Sequence, residues 1–182
     1  MRFRNDRRRY AASVVLLHWL TLVLVAAAYG SIELRELFVR GSDMRDALKT
    51  LHFLLGLGVL ALMVVRLGVR AFAGPAPPIA PAPDPWMQRA SAFVQAALYA
   101  LLFGAPMLGW ALLGAEGERL PPFFGAELPP LVPRNEGLAE ALEDLHETAG
   151  QLGYGLIGLH AAAALFHHYV RRDSTLERML PG

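Results

Sequence analysis

Four apolar runs separated by polar or proline-rich stretches give this chain its frame. Residues 11–30, 48–69, 86–113 and 142–169 each approach or exceed the roughly 20 helical residues that cross a bilayer core about 30 Å thick. A backbone inside hydrocarbon must satisfy its own hydrogen bonds, so runs of this length and composition are read as helices. The pattern predicts an all-α integral membrane four-helix bundle, one membrane domain over residues 1–182.

The segments between the runs differ in kind. Ile32 to Lys49 is polar, and Gly41-Ser42-Asp43 offers a turn followed by a helix start. The second connector holds Pro75, Pro77, Pro78, Pro81, Pro83 and Pro85, which cannot be helical and read as an extended surface link. Gly114 to Glu140 is proline-rich and acidic, with Arg119 and Arg134 against five glutamates. Within the third run, Gly104, Pro106 and Gly109 predict a kink, and Gln95 suits an interhelical hydrogen bond. The fourth helix should begin near Leu138, with Glu143 and Asp144 in the aqueous or headgroup zone.

Charge reports topology. Arg2, Arg4, Arg7, Arg8 and Arg9 precede the first run, and Ala26-Ala27-Ala28 imitates a leader cleavage site. The run is nevertheless of spanning length and carries His18 and Trp19, which a disposable leader would not need. The basic N-terminal tail, the connector with Arg66, Arg70 and Arg89, and the C-terminal tail with Arg171, Arg172 and Arg178 fall on one side of a four-span topology. Both termini are therefore expected to be cytoplasmic, in a multi-pass protein of the bacterial inner membrane.

Composition narrows the chemistry. With 54% hydrophobic residues and a net charge of +1, a nucleic-acid partner held by phosphate contacts is excluded, and the lipid bilayer is the expected surrounding. The absence of cysteine rules out disulfides, iron–sulfur ligation, thiolate zinc sites and covalent c-type haem attachment, leaving histidine to hold any cofactor.

Four of the six histidines lie in the fourth run. His146, Gly150, Gly153, Ile157, His160, Ala164 and His167 follow three- and four-residue steps and stack on one helix face. His146 and His160 are two heptads apart, about 21 Å of helical rise. Spans entering alternately from the two sides give each histidine a depth. His18 lies about 12 Å from the cytoplasmic end of helix one, and His160 about 14 Å from that of helix four. His52 opens helix two on the outer side, and His146 lies on the outer part of helix four. The expected pairs are His18 with His160 and His52 with His146. Lone histidines on apolar helices are often hydrogen-bonded core residues, but ionisable groups inside a membrane are costly and point to function. Two bis-histidine sites flanked by Gly56, Gly150 and Ala164 suit two haem b groups bound between facing helices, whereas zinc would need its ligands converging on one point.

The blocks Leu17-His18-Trp19, Leu62-Met63-Val64-Val65-Arg66-Leu67, Leu145-His146-Glu147-Thr148 and Gly158-Leu159-His160-Ala161-Ala162-Ala163-Ala164-Leu165, followed by His167-His168-Tyr169, resemble the bacterial cytochrome b561 family. The resemblance implies a dihaem inner-membrane cytochrome that exchanges electrons with ubiquinone. It further implies a superoxide oxidase, which passes the electron of superoxide to quinone; this chain departs from some family members in having no histidine near Gln95. The alternatives are a haem-bearing subunit relaying electrons for a hydrogenase- or dehydrogenase-type redox partner, and a histidine-lined metal transporter. Under the superoxide oxidase reading, Arg35, Arg45 and Lys49 are candidates for steering superoxide to the outer haem, though loop charges are more often merely solvated. His167, two turns beyond His160, is the candidate to hold a quinone carbonyl, with Trp19 bordering the same pocket; an interfacial or haem-propionate role for His167 is the plainer alternative.

Overall fold

A computed structural model describes residues 4–118 and 121–180; Arg2 and Arg119 lie outside the described residues. Four long helices follow one another: α1 (Ala12–Arg35), α2 (Asp43–Phe72), α3 (Pro85–Glu116) and α4 (Glu136–Phe166). There is no β-strand among the described residues, only an isolated bridge between Phe123 and Ala126. All four helices are long and apolar enough to cross a membrane.

Burial is distributed as lipid solvent demands. Large apolar side chains such as Val23, Phe93, Leu152 and Leu159 are exposed on the helices, while Ser13, Thr21 and Ser31 are buried. In water this would be an inverted arrangement; in hydrocarbon it leaves polar groups facing protein and aliphatic groups facing acyl chains.

The helix ends correct the expected boundaries. α1 continues to Arg35, through residues expected to belong to the first loop, and α2 starts at Asp43 rather than Leu48. Two devices account for this. Gly41 turns the chain at φ +80°, and the Ser42 hydroxyl accepts a bond from the Arg45 amide at 3.4 Å, capping α2. Arg45 then folds back, its Nη1 donating to the carbonyls of Arg35 and Phe38 at 3.1 Å each, which satisfies backbone acceptors at the end of α1. α4 opens at Glu136, where the Asn135 side chain accepts from the Leu138 amide at 3.0 Å. α3 runs unbroken through Pro106.

The chain divides into two compact units, and every helix contributes to both. The first comprises Met1–Leu20, Val64–Leu101 and Gln151–Gly182. In it α1 packs on α2 through Ala11, Val14, Val69 and Ala73. The proline-rich connector is tied down rather than free: Ser174 and Ala80 exchange two hydrogen bonds of 3.0 Å, and Arg178 donates to the Pro77 carbonyl. The second unit comprises Thr21–Met63 and Leu102–Gly150. There the Tyr29 hydroxyl of α1 donates to the Gly150 carbonyl of α4 at 2.8 Å.

Candidate cofactor sites

In the second unit, α2 and α4 bring His52 and His146 together with ring centres 6.0 Å apart and planes at 85°. Each ring is oriented by a backbone carbonyl. His52 Nδ1 lies 2.8 Å from the Ala28 oxygen of α1, and His146 Nδ1 lies 3.0 Å from the Ala105 oxygen of α3. A carbonyl can only accept, so both imidazoles carry their proton on Nδ1 and present the Nε2 lone pair. The Ser31 hydroxyl donates to the same Ala28 oxygen at 2.7 Å. Gly109 of α3 lies against the His146 ring: a Cβ there would stand 3.2 Å from its Cε1.

In the first unit, His18 of α1 and His160 of α4 have ring centres 6.1 Å apart and planes at 68°. The orienting partner of His18 is of the opposite kind. Arg66 Nη2 lies 3.0 Å from His18 Nδ1, and a guanidinium has only donors, so this nitrogen accepts. A neutral His18 so held carries its proton on Nε2; ligation through Nε2 entails release of Nδ1 by Arg66. Arg66 also stands 5.9 Å over the Tyr99 ring.

The separation within each pair is one that two imidazoles sharing a haem would have. Imidazole nitrogens bind a metal at about 2.0–2.1 Å, so two histidines that shared one ion would have ring centres about 6 Å apart. The separations of 6.0 and 6.1 Å match within the adjustment a side chain makes easily. Cβ atoms at Gly56 and Gly150, each one turn beyond a histidine of the second unit, would meet nothing within 4 Å, leaving room for a flat macrocycle. Among the described residues no three His, Asp or Glu side chains gather to hold a metal. A pair of imidazoles alone would suit a metal that brings further donors of its own, as a haem group would.

His167 belongs to different surroundings. The α-helix stops at Phe166, short of the expected Tyr169, and His167–Arg171 form a π-helical turn closed by Arg172 at φ 53°. Asp173 supplies the reason. Its Oδ2 lies 2.5 Å from His167 Nδ1, and its Oδ1 accepts from the Thr175 amide at 2.9 Å. Burial works to raise the Asp173 pKa, but the bonds from His167 and Thr175 prevail and hold it below the ordinary carboxylate value. His167, Gln95, Tyr10, Thr175 and Arg178 line a cavity of about 260 Å³ whose apolar wall includes Ile79 and Met87. Trp19 is not among its lining residues: its indole meets His18 edge-on at 5.6 Å and donates to the Met179 carbonyl at 2.8 Å.

The three cations near His52 do not form a free patch. Arg45 is buried, caps α1 and pairs with Glu36 at 2.8 Å, so steering cannot fall to it. Lys49 lies 3.0 Å from Glu118 and 3.7 Å from Glu116. Arg35 is partly buried at the end of α1.

Several of these groups escaped sequence reasoning. Arg66 and Arg178 read there as topology markers, and Gly109 as a kink. Carbonyls such as those of Ala28 and Ala105 carry no signal in a sequence at all.

Comparison with known proteins agrees with the geometry. A family model described as prokaryotic cytochrome b561 matches residues 9–182. Cytochrome b561 homolog 1 of Escherichia coli is 36% identical over 174 residues, covering 95% of this chain and 97% of that protein. A probable superoxide oxidase of Yersinia pestis, CybB, is 36% identical over 174 residues, 96% of this chain and 97% of its own. Cytochrome b561 homolog 2 of Escherichia coli is 28% identical over 183 residues, 99% and 95% of the two chains. With four helices of membrane-spanning length and paired imidazoles among them, the chain belongs to the prokaryotic cytochrome b561 family, multi-pass bacterial membrane proteins that bind b-type haem and transfer electrons.

Proposed function

We propose that this protein is a superoxide:ubiquinone oxidoreductase of the bacterial inner membrane, with two haem b groups and both termini cytoplasmic. His52 and His146 would hold the outer haem, and His18 and His160 the inner one. The observation that carries the reading is the pair of imidazole–imidazole separations near 6 Å, one in each compact unit. The relative named as a probable superoxide oxidase, at 36% identity, supports the choice of electron donor.

Haem supplies one-electron transfer. The overall balance is two superoxide anions leaving as two dioxygen molecules while one quinone takes two electrons and two protons and leaves as quinol. The protein's part is binding, orientation and proton handling. At the outer pair, the Ala28 and Ala105 carbonyls hold the ligand tautomers. Arg35 and Lys49 are the remaining candidates for drawing in the anion, Lys49 with its charge partly offset by Glu116 and Glu118. His167 would bind a quinone carbonyl through Nε2, since Asp173 engages Nδ1.

The test is electron transfer measured in two stages on the purified protein. A reduced-minus-oxidised spectrum establishes haem, stopped-flow mixing with superoxide follows its reduction, and a soluble ubiquinone analogue follows its reoxidation. His167→Leu should keep the spectrum and the first stage and slow the second at least tenfold. An unchanged second stage would remove His167 from the quinone site. Haem indifferent to superoxide would leave the relay-subunit reading in its place.

A further inference from the structure

Arg66 stands six residues before the end of α2 at Phe72, about 9 Å of helical rise inside it. A charge at that depth in a membrane span is costly, and the default reading of such a residue is functional. Long cationic side chains so placed commonly run back to the headgroups. This one reaches across to α1, with Nη2 3.0 Å from His18 Nδ1. The Tyr99 ring of α3, 5.9 Å from the guanidinium, gives the cation a second neighbour. The charge is permanent, because a guanidinium keeps its proton at any pH the protein meets.

The first unit offers little negative charge at this level. Its four carboxylates, Asp6, Asp84, Asp173 and Glu177, all lie outside the apolar runs. Three of them have partners elsewhere: Asp6 accepts from the Arg8 and Arg9 amides, Asp84 lies 3.6 Å from Arg171, and Asp173 holds His167. The His52–His146 pair has neighbours of the opposite sign. At each Nδ1 stands a backbone carbonyl oxygen, the negative end of a peptide dipole, at 2.8 Å and 3.0 Å. An acceptor at that nitrogen makes the imidazole a stronger electron donor and favours an oxidised metal, whereas a cation beside the ligand favours a reduced one.

We propose that Arg66 sets the redox order of the two sites, raising the potential at His18–His160 above that at His52–His146. This rests on the two-haem reading above and adds to it the residue that makes the His18–His160 site the preferred place of the electron. Reduction adds one negative charge between the two imidazoles, and a fixed cation beside one of them attracts it in surroundings where water does little screening. A Coulomb field falls only as the inverse of distance, so it outlasts release of Nδ1 on ligation. Arg66 takes no proton or electron itself.

Potentiometric titration of the purified, haem-loaded protein, followed in the visible spectrum, tests this. In the parent protein the wave that disappears in His18→Ala should lie above the wave that disappears in His52→Ala by about 59 mV or more, a tenfold preference for one electron. Arg66→Met keeps a long side chain without the charge and should lower the first wave by about the same amount, with the second wave and the haem content as in the parent. Arg66→Lys keeps the charge and should hold the first wave nearer its parent position than Arg66→Met does. Parent waves that coincide or stand in the reverse order would overturn the proposal, as would an unmoved first wave in Arg66→Met. Equal falls in the two variants would also overturn it, since packing or water entry rather than charge would then set the potential. If Arg66→Met fails to load this haem, the order of the parent waves decides alone. One haem per chain in the parent protein would instead overturn the two-haem reading itself.

Discussion

Gly109→Val is the sharpest perturbation the outer site offers, because it touches a proposed ligand without altering any ligand atom. The first added carbon would stand 3.2 Å from His146 Cε1 and 3.5 Å from Nδ1, so even alanine pushes the ring by a few tenths of an ångström. Valine adds two more carbons at the same place. The ring cannot retreat without lengthening its 3.0 Å bond to the Ala105 carbonyl. Losing that bond costs about 0.5–1.5 kcal/mol. Metal–ligand distances tolerate about 0.2 Å of error, and disturbing an orienting partner typically lowers metal affinity about 10–100-fold. Haem quantification with a visible spectrum, on protein washed at high dilution, should therefore show the outer haem largely lost and the inner one retained. Gly109→Ala should fall between. Gly68→Ala is the control: a Cβ there meets nothing within 4 Å, the position lies outside the second unit, and helix propensity improves. Full haem content and an unshifted spectrum in Gly109→Val would refute the claim that the approach of α3 sets the geometry of His146.

Two further outcomes follow from the same geometry. His18→Ala or His160→Ala should each remove the inner haem and spare the outer one, with His52→Ala and His146→Ala doing the converse; haem-to-protein ratios check this, and loss of the same haem from His18→Ala and His52→Ala would break the pairing. Asp173→Asn should lower stability at pH 7 by about 1.5–3 kcal/mol, the usual worth of hydrogen bonds to a charged group. Because the folded Asp173 pKa is depressed below its ordinary 3.8, the contribution is fully present above that value and is lost as pH falls through the folded one. Thermal melts in detergent at pH 7 and pH 3 should show the gap between variant and parent narrowing at the lower pH.

Much of this protein is legible from its sequence for one reason: a membrane reduces the folding problem to few variables. Hydrocarbon forces each apolar run into a helix, run length then gives span, and the alternation of spans gives each histidine a depth. That arithmetic alone brings His18 to His160 and His52 to His146, the same pairs whose rings meet in the structure. The helix ends were less legible, because they depend on caps. Arg45 reads in sequence as a loop cation, whereas in the fold it closes α1 with its guanidinium. The orientation of each imidazole was not legible at all. Whether Nδ1 meets a carbonyl, as at His52 and His146, or a guanidinium, as at His18, depends on which backbone or side chain a neighbouring helix presents at that height. The cavity beside His167 likewise gathers Tyr10, Gln95, His167 and Arg178 from four separate stretches of chain. Hydrophobic period and charge bias are local sums over residues, and they determined the number and order of the helices. Contacts between residues far apart in the chain depend on rotation and close approach of packed helices, so only the tertiary structure decided which groups surround each histidine.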